Sequence, residues 1–524
     1  MSKIIVNDLT FYYAQYYQPV FEHVNLSLDT DWKLGLIGRN GRGKTTFLHL
    51  LNQTLIPNKG HIHMDVKTEL FPYQVNVQYH KSMDIIKENI GGLKTLEVLM
   101  DEILRENVER RMDEYQQLFE SYLKMDGYNM ESRIRKEVNL MQLPDDLLER
   151  DYASLSGGEK TKLQIITLFL RHNAFVLLDE PTNHLDIRGK EVLITYLQKK
   201  KGFIVVSHDR DFLDKVIDHV LSINKTNIEL EKGNYSSWKT NKDWKEAYEF
   251  RTRTKLEKEI SALENQSVSK RKWASIAEGT KNQHGKFERS SGSRAAQFMR
   301  HAKNAELEAE ENLKIKKELL KNYEAADELT INQEKSEEAL LIKVKRLKFG
   351  YSHERSIINN ACFEVYSGDR IWIKGANGSG KSTLLKLLSG ALPSKDCIEY
   401  ANGLMIAESC QDPLWKNGFL SDLITTREEW TKIREFCQLF NISDNTMMRP
   451  IETFSGGEIR KLDIARAFSG QNQLILLDEP LNYMDIYFRE QLEKAILKYE
   501  PTIIFVEHDE RFGINVANKV IELG

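Results

Sequence analysis

The sequence predicts an α/β fold built from two tandem, homologous domains joined by a long α-helical hairpin. Three observations carry that prediction. One set of glycine-rich and acidic motifs occurs twice in the same order; short apolar runs of strand length end in those motifs; and a charged, helix-forming stretch of about 100 residues separates the copies. The first set runs GRNGRGKT (38–45), Gln74, LSGGE (155–159), VLLDEP (176–181) and SHD (207–209). The second runs GANGSGKS (375–382), Gln411, FSGGE (454–458), ILLDEP (475–480) and EHD (507–509). From the P-loop lysine to the glutamine is 30 positions in both halves, and from the signature serine to the second acidic residue is 24 in both. Spacing this regular predicts a first domain over 1–237, a connector over 238–339 and a second domain over 340–524.

Composition bounds the partners less than the motifs do. Charged residues are 29% of the 524 and the net charge is only -4, which excludes neither nucleic acid nor protein. The longest apolar runs, around 475–477 and 502–506, are far below the roughly 20 residues a membrane helix requires, so no span is expected. MSKIIVNDLTF does not read as a secretory signal, and the four cysteines contain no CxxC pair. The cytoplasm is the expected compartment, without zinc or disulfides.

Each motif has a physical purpose. The backbone from Gly38 through Arg39, Asn40, Gly41, Arg42 and Gly43 to Lys44, Thr45 and Thr46 can wrap phosphates with successive N–H groups and a helix N-terminus. The same holds from Gly375 through Ala376, Asn377, Gly378, Ser379 and Gly380 to Lys381, Ser382 and Thr383. Thr45 and Ser382 offer hydroxyls to Mg2+, and Asp179 and Asp478, each ending an apolar strand, offer carboxylates. Glu180 and Glu479 are placed to polarise the attacking water of ATP, with His208 and His508 reaching toward the γ-phosphate. Gln74 and Gln411 would sense metal and water. Tyr13 and Tyr351 stand in aromatic stretches ahead of each P-loop, where they either stack on adenine or pack in a strand.

The SGGE motifs make the chain similar to the ATP-binding cassette superfamily, in which the signature of one cassette caps the nucleotide on the other's P-loop. The resemblance implies two composite sites. Site one would join Lys44, Thr45, Gln74, Asp179, Glu180 and His208 to Ser455, Gly456 and Gly457, and site two Lys381, Ser382, Gln411, Asp478, Glu479 and His508 to Ser156, Gly157 and Gly158. With DEPTNHLD (179–186), the long charged connector and no membrane segment, the whole chain resembles an ABC-F ATPase. GRNGRGKTT, DEPLNYMD (478–485) and EHD resemble the Lsa-type antibiotic-resistance branch. Leu481, Tyr483 and Met484 replace Thr182, His184 and Leu185, and Glu507 replaces Ser207, so equal turnover at the two sites is not expected.

Two segments lie outside the repeat. Gln74 to Ser156 is 82 positions against 44 from Gln411 to Ser455, which locates an insertion of about 38, helix-forming, over about 95–140. It resembles the arm that ABC-F proteins lay against the ribosome near the exit site, or else packs only on its own domain. In the connector, helical spacing on both limbs brackets 270–300, which carries Lys270, Arg271, Lys272, Trp273, Lys281, Lys286, Phe287, Arg289, Arg294 and Arg300. Cations beside flat rings suit RNA phosphates and exposed bases, although a solvated hairpin with a basic turn has the same composition. The resemblance implies a bacterial 70S ribosome as partner, with contact to 23S rRNA and peptidyl-site tRNA, and release of lincosamides, pleuromutilins and streptogramin A. It also implies ATP and Mg2+ as cofactors and a monomer whose cassettes pair within one chain. A housekeeping translation factor, a transporter's ATPase subunit and a DNA-maintenance ATPase are the alternatives.

Overall fold

A computed structural model describes residues 2–14, 19–106, 111–183, 185–224, 227–245, 247–248, 251, 331, 333, 339–351, 357–376, 378–394, 397–410, 413, 415, 417–424, 426–440, 442–482 and 484–523. The chain divides into one unit holding both cassettes, Met1–Tyr235 with Glu328–Gly524, and a second, Ser236–Asp327. The basic 270–300 segment, with every residue singled out in it, lies outside the described residues, as do Gln411, Asn377, His184 and Tyr483. In the second unit, Trp244 and Tyr248 are exposed.

The first cassette begins with an antiparallel sheet, β2-β1-β4, of β1 (Lys3–Phe11), β2 (Phe21–Asp29) and β4 (Lys59–Met64). Its larger sheet has the order β5-β6-β7-β3-β8-β9, from β3 (Lys33–Gly38), β5 (Lys67–Phe71), β6 (Ala174–Asp179), β7 (Phe203–Val206), β8 (His219–Ile223) and β9 (Ile228–Lys232). All pairings in it are parallel except β8 with β9. Parallel strands covered on both faces must be apolar throughout, and β7 (FIVV) is buried at every position. Helix α1 (Lys44–Leu51) follows β3, and its Phe47, Leu48 and Leu51 join Ile4, Leu28, Leu36, Leu177 and Ile204 in one core between the sheets. Then come α2 (Ser82–Gly91), α3 (Leu93–Glu106), α4 (Met112–Lys124), α5 (Gly127–Leu140), α6 (Gly157–Leu170), α7 (Ile187–Gln198) and α8 (Arg210–Val216). Helices α3 to α5 occupy the inserted stretch, where Tyr115, Phe119, Tyr122 and Tyr128 pack ring against ring.

The second cassette repeats this plan. The small sheet β11-β10-β13 comprises β10 (Leu340–Phe349), β11 (Ile358–Tyr366) and β13 (Ile398–Tyr400). The parallel sheet β14-β15-β16-β12-β17 comprises β12 (Arg370–Gly375), β14 (Ile406–Ser409), β15 (Leu474–Asp478), β16 (Ile503–Val506) and β17 (Lys519–Leu523). Its helices are α9 (Lys381–Leu388), α10 (Leu420–Leu423), α11 (Arg427–Leu439), α12 (Asp444–Met447), α13 (Gly456–Ser469), α14 (Ile486–Tyr499) and α15 (Glu510–Val516). In both sheets the P-loop strand lies beside the strand before the histidine motif, and the acidic strand is next outward. The P-loop, the acidic pair and the histidine therefore meet at the carboxyl ends of adjacent strands, where open α/β sheets hold their ligands.

Candidate functional site

The two P-loops are shaped by glycines at which any side chain would be strained and crowded. Gly43 and Gly380 have φ of 87° and 93°, and a Cβ there would stand 2.5 Å from Val20 Cγ1 and from Ile357 Cγ2. Each turn delivers its lysine into the loop: Lys44 Nζ donates to Gly38 O at 2.8 Å and Arg39 O at 3.3 Å, and Lys381 Nζ donates to Gly375 O and Ala376 O, both at 2.9 Å. Burial lowers the pKa of both lysines. Phosphate oxygens would replace those carbonyls as better partners for a buried ammonium.

A hydroxyl and a carboxylate stand next to each lysine. Thr45 Oγ1 donates to Asp179 Oδ2 at 2.8 Å, and Ser382 lies near enough to Asp478 to oppose the rise of its carboxyl. Burial raises both aspartates. Asp478 Oδ1 is buried with no hydrogen-bond partner among the described residues, an orphaned acceptor that a hard cation would satisfy. No group of three or more His, Cys, Asp or Glu suited to a metal occurs among the described residues. Thr45 with Asp179, and Ser382 with Asp478, are the side chains that would hold such a cation.

Glu180 and Glu479 both adopt the left-handed region, φ 50° and 52°, which costs a non-glycine residue of order 1 kcal/mol. The neighbouring strand holds them there, because Glu180 N donates to Val206 O and Glu479 N to Val506 O, each at 2.9 Å. His208 Nε2 lies 3.4 Å from Glu180 Oε1, and His508 Nε2 lies 3.3 Å from Glu479 Oε1. Burial pushes the Glu180 carboxyl up to about 8, with Arg489 opposing and Asp179 adding to the rise. Burial, with Lys44 and Arg489 adding, lowers His208 well below its ordinary value, so this imidazole is neutral at pH 7.

The signatures are helix N-termini. Ser156 and Ser455 cap α6 and α13 in closed capping boxes with Glu159 and Glu458, which leaves the N–H groups of Gly157, Gly158, Gly456 and Gly457 to face an anion. Tyr13 OH shares a hydrogen bond with Thr46 Oγ1 at 2.8 Å, and Tyr351 OH with Thr383 Oγ1 at 3.4 Å, which anchors both rings beside their P-loops. Gln74 is exposed and follows the strand β5.

The cassettes are paired. Asn40 N of the first P-loop donates to Asp485 Oδ2 of the second cassette at 2.8 Å, and Arg39 lies 5.5 Å from the Tyr487 ring centre. Lys461, on the helix of the second signature, raises the electrostatic potential at Lys44. Reciprocally, Asp186 acts on Lys381. Lys190 Nζ bridges Asp209 Oδ2 at 2.8 Å and His508 O at 3.1 Å. Arg210 donates to Glu493 at 2.7 Å and Tyr235 OH to Glu490 at 2.9 Å, both across the interface. A cavity of about 1030 Å³ lies between the cassettes, lined by Ser156, Gly157, Gly158, Gly456, Glu180, Glu479 and His508 among others.

Asp186, Asp485, Lys190, Arg210, Arg489 and Lys461 were not singled out by the motifs. Asp186 and Asp485 had a signal, since each closes its DEP run and then caps α7 or α14, accepting from Gly189 N and Phe488 N at 2.8 Å. The unequal residues also exchange as sets. In the first cassette the Thr182 and Ser207 hydroxyls meet at 3.2 Å; in the second, where Leu481 has no hydroxyl, Glu507 accepts from Leu481 N at 2.7 Å and His508 N at 2.8 Å.

Two P-loop sheets facing each other across opposed signature helices define an ATPase with two composite nucleotide sites. The chain belongs to the ABC transporter family, whose model matches residues 21–183 and 358–482, and within it to the ABC-F ATPases. It is 28% identical to the ribosome protection protein VmlR of Bacillus subtilis, over 96% of this chain and 83% of that protein. To the energy-dependent translational throttle protein EttA of Escherichia coli K12 it is 26% identical, over 96% and 89%. Among solved structures, the archaeal ribosome recycling factor aABCE1 in complex with the stalk protein aP1 matches with a TM-score of 0.59 at 18% identity, over 98% of this chain and 87% of that one, a likeness of fold. No helix among the described residues is long and apolar enough to cross a membrane.

Proposed function

We propose that this ATPase is a cytoplasmic ribosome-protection factor: in its ATP-closed form it binds the bacterial 70S ribosome at the exit site, carries its connector toward the peptidyl transferase centre past peptidyl-site tRNA, and dislodges lincosamide, pleuromutilin or streptogramin A drugs. The observation that carries the reading is the match along nearly the whole chain, connector included, to a protein named for ribosome protection. In each composite site the P-loop lysine and N–H groups bind the phosphates, and the opposing signature helix closes on them. Thr45 with Asp179, and Ser382 with Asp478, would hold Mg2+, which neutralises phosphate charge when bound. Glu180 and Glu479 orient water for attack on the γ-phosphate, and the neutral His208 can donate one hydrogen bond toward it. The basic segment 270–300 is the part that would approach ribosomal RNA.

The match to a translational throttle protein favours a second reading, a housekeeping factor on the same ribosome. Expression in a susceptible bacterium separates them. Protection predicts that inhibitory concentrations of the three drug classes rise about fourfold or more, on the order of 1 kcal/mol of effective drug affinity, and that Glu180→Gln with Glu479→Gln abolishes the rise. Unchanged susceptibility to all three would leave the housekeeping reading.

A further inference from the structure

The two signature helices are fastened to their own cassettes by different chemistry. Counting from the signature serine, Thr161, Gln164 and Thr167 of α6 correspond to Arg460, Asp463 and Arg466 of α13. In the first cassette these side chains are neutral: Thr167 Oγ1 donates to Leu163 O within its own helix at 2.8 Å, while Gln164 Nε2 reaches Tyr152 OH at 3.5 Å. In the second they are charged and carry the helix outward. Arg460, 4% exposed, donates through one terminal nitrogen to Cys410 O and through the other to Asp478 O. Asp463, 1% exposed, accepts from Trp415 Nε1 at 3.2 Å and lies 3.7 Å from Arg460. Arg466 donates to Glu408 O at 3.4 Å.

These contacts connect the two ATP sites. The N-terminus of α13 is the second signature, which faces the first P-loop through site one. Cys410 directly precedes Gln411, and Asp478 is the candidate metal carboxylate; both belong to site two. We propose that Arg460 is a positioning residue that relays the state of site two to the signature closing on site one, and that the relay is one-way because Thr161 stands at the equivalent place in the first cassette.

A guanidinium suits this task because its planar fork holds two carbonyls at a fixed separation, which an ammonium cannot do. The cluster is also built to rearrange. Arg460 Nε, Arg466 Nε and Asp463 Oδ2 are buried without a hydrogen-bond partner among the described residues, as is Asp478 Oδ1. Unmatched buried polar atoms leave an arrangement poised near an alternative, and site two can tip the balance by engaging Asp478. Thr161, Gln164 and Thr167 offer no such handle on the first acidic strand.

The inference rests on the paired ATPase and not on the ribosomal reading, so it is tested without ribosomes. In full-length protein carrying Glu479→Gln, site two binds ATP without turning it over, and kcat for Mg-ATP reports site one. Lys381→Ala then empties site two. With Arg460 in place, emptying site two is expected to lower kcat at site one about tenfold, within the usual range for coupling between sites. With Arg460→Lys, which keeps the charge but cannot bridge both carbonyls, the same step should lower it by less than about twofold, because the relay is already cut. Arg460→Thr, the first cassette's own residue, should behave like Arg460→Lys; if that variant fails to fold, the lysine variant decides alone. The mirror experiment reads site two in a Glu180→Gln background and empties site one with Lys44→Ala, and there Thr161 predicts little dependence. Equal effects of Lys381→Ala with arginine and with lysine at 460, whatever their size, would overturn the relay and leave Arg460 a structural residue.

Discussion

Arg210 offers the sharpest test of the closed pairing. It is buried on α8 of the first cassette, and its Nη2 donates to Glu493 Oε2 on α14 of the second at 2.7 Å, while Glu493 Oε1 accepts from Asn515 Nδ2 at 2.7 Å. Arg210→Met fills similar volume but strands the carboxylate. Breaking a buried pair costs about 3–5 kcal/mol, and the remaining Asn515 bond and the 13% exposure of the Glu493 side chain bring the expected cost down to about 2 kcal/mol. When the cassettes part, Glu493 regains water, so the cost falls on the closed state alone. Because ATP binding drives closure, about 2 kcal/mol becomes about a 30-fold rise in the ATP concentration giving half-maximal hydrolysis. Adding Glu493→Leu removes the stranded charge and should recover most of the loss, since well-packed apolar groups replace buried ion pairs at little cost. A shift below about threefold, or a double variant no better than the single, would refute the claim that this pair holds the closed form.

Glu180→Gln and Glu479→Gln together should lower ATP turnover by about 100-fold or more while leaving nucleotide binding intact, as measured by phosphate release and by equilibrium binding; undiminished turnover would remove both from the chemistry. Glu507 predicts a pH dependence. Burial raises its carboxyl above the ordinary 4.5, with Arg489 opposing, so between about pH 4.5 and the raised value the folded chain keeps a proton that the unfolded chain has released. Stability from this group therefore falls as pH rises through that window. Glu507→Gln should gain Tm relative to the parent on going from about pH 5 to about pH 8 in calorimetry, whatever constant offset the lost acceptor imposes; a difference that does not change with pH contradicts the assignment.

Legibility tracked distance along the chain. The P-loops, acidic pairs and capped signatures are local: each needs particular residues at particular spacings to make a turn, end a strand or start a helix, and the sequence displays those spacings twice. The αL conformation of Glu180 and Glu479 is not visible that way, since nothing in DEP demands it; it follows from the backbone bond to the neighbouring strand at Val206 or Val506. The contacts that pair the cassettes were hidden for a similar reason. Asn40 with Asp485 spans 445 positions and Arg210 with Glu493 spans 283, and no local pattern records such a meeting. The unequal residues Leu481 and Glu507 were visible as departures from the repeat. Only the fold shows them in contact: Glu507 supplies a carboxylate to the backbone N–H of Leu481, where the first cassette has two facing hydroxyls. Arg460 carries no signal in the sequence, because arginine on a helix is ordinarily a solvated charge, whereas here it is buried against two backbone carbonyls.

The central claim, that ATP-driven pairing of these cassettes acts on the ribosome, is tested most directly by sucrose-gradient co-sedimentation of the Glu180→Gln, Glu479→Gln protein with bacterial 70S ribosomes, with and without ATP. The account predicts movement into the ribosomal fractions with ATP and little without it, weakening as salt rises because contacts to RNA phosphates release counterions. Absence of co-migration with ATP at low salt, or equal co-migration with and without ATP, would contradict it.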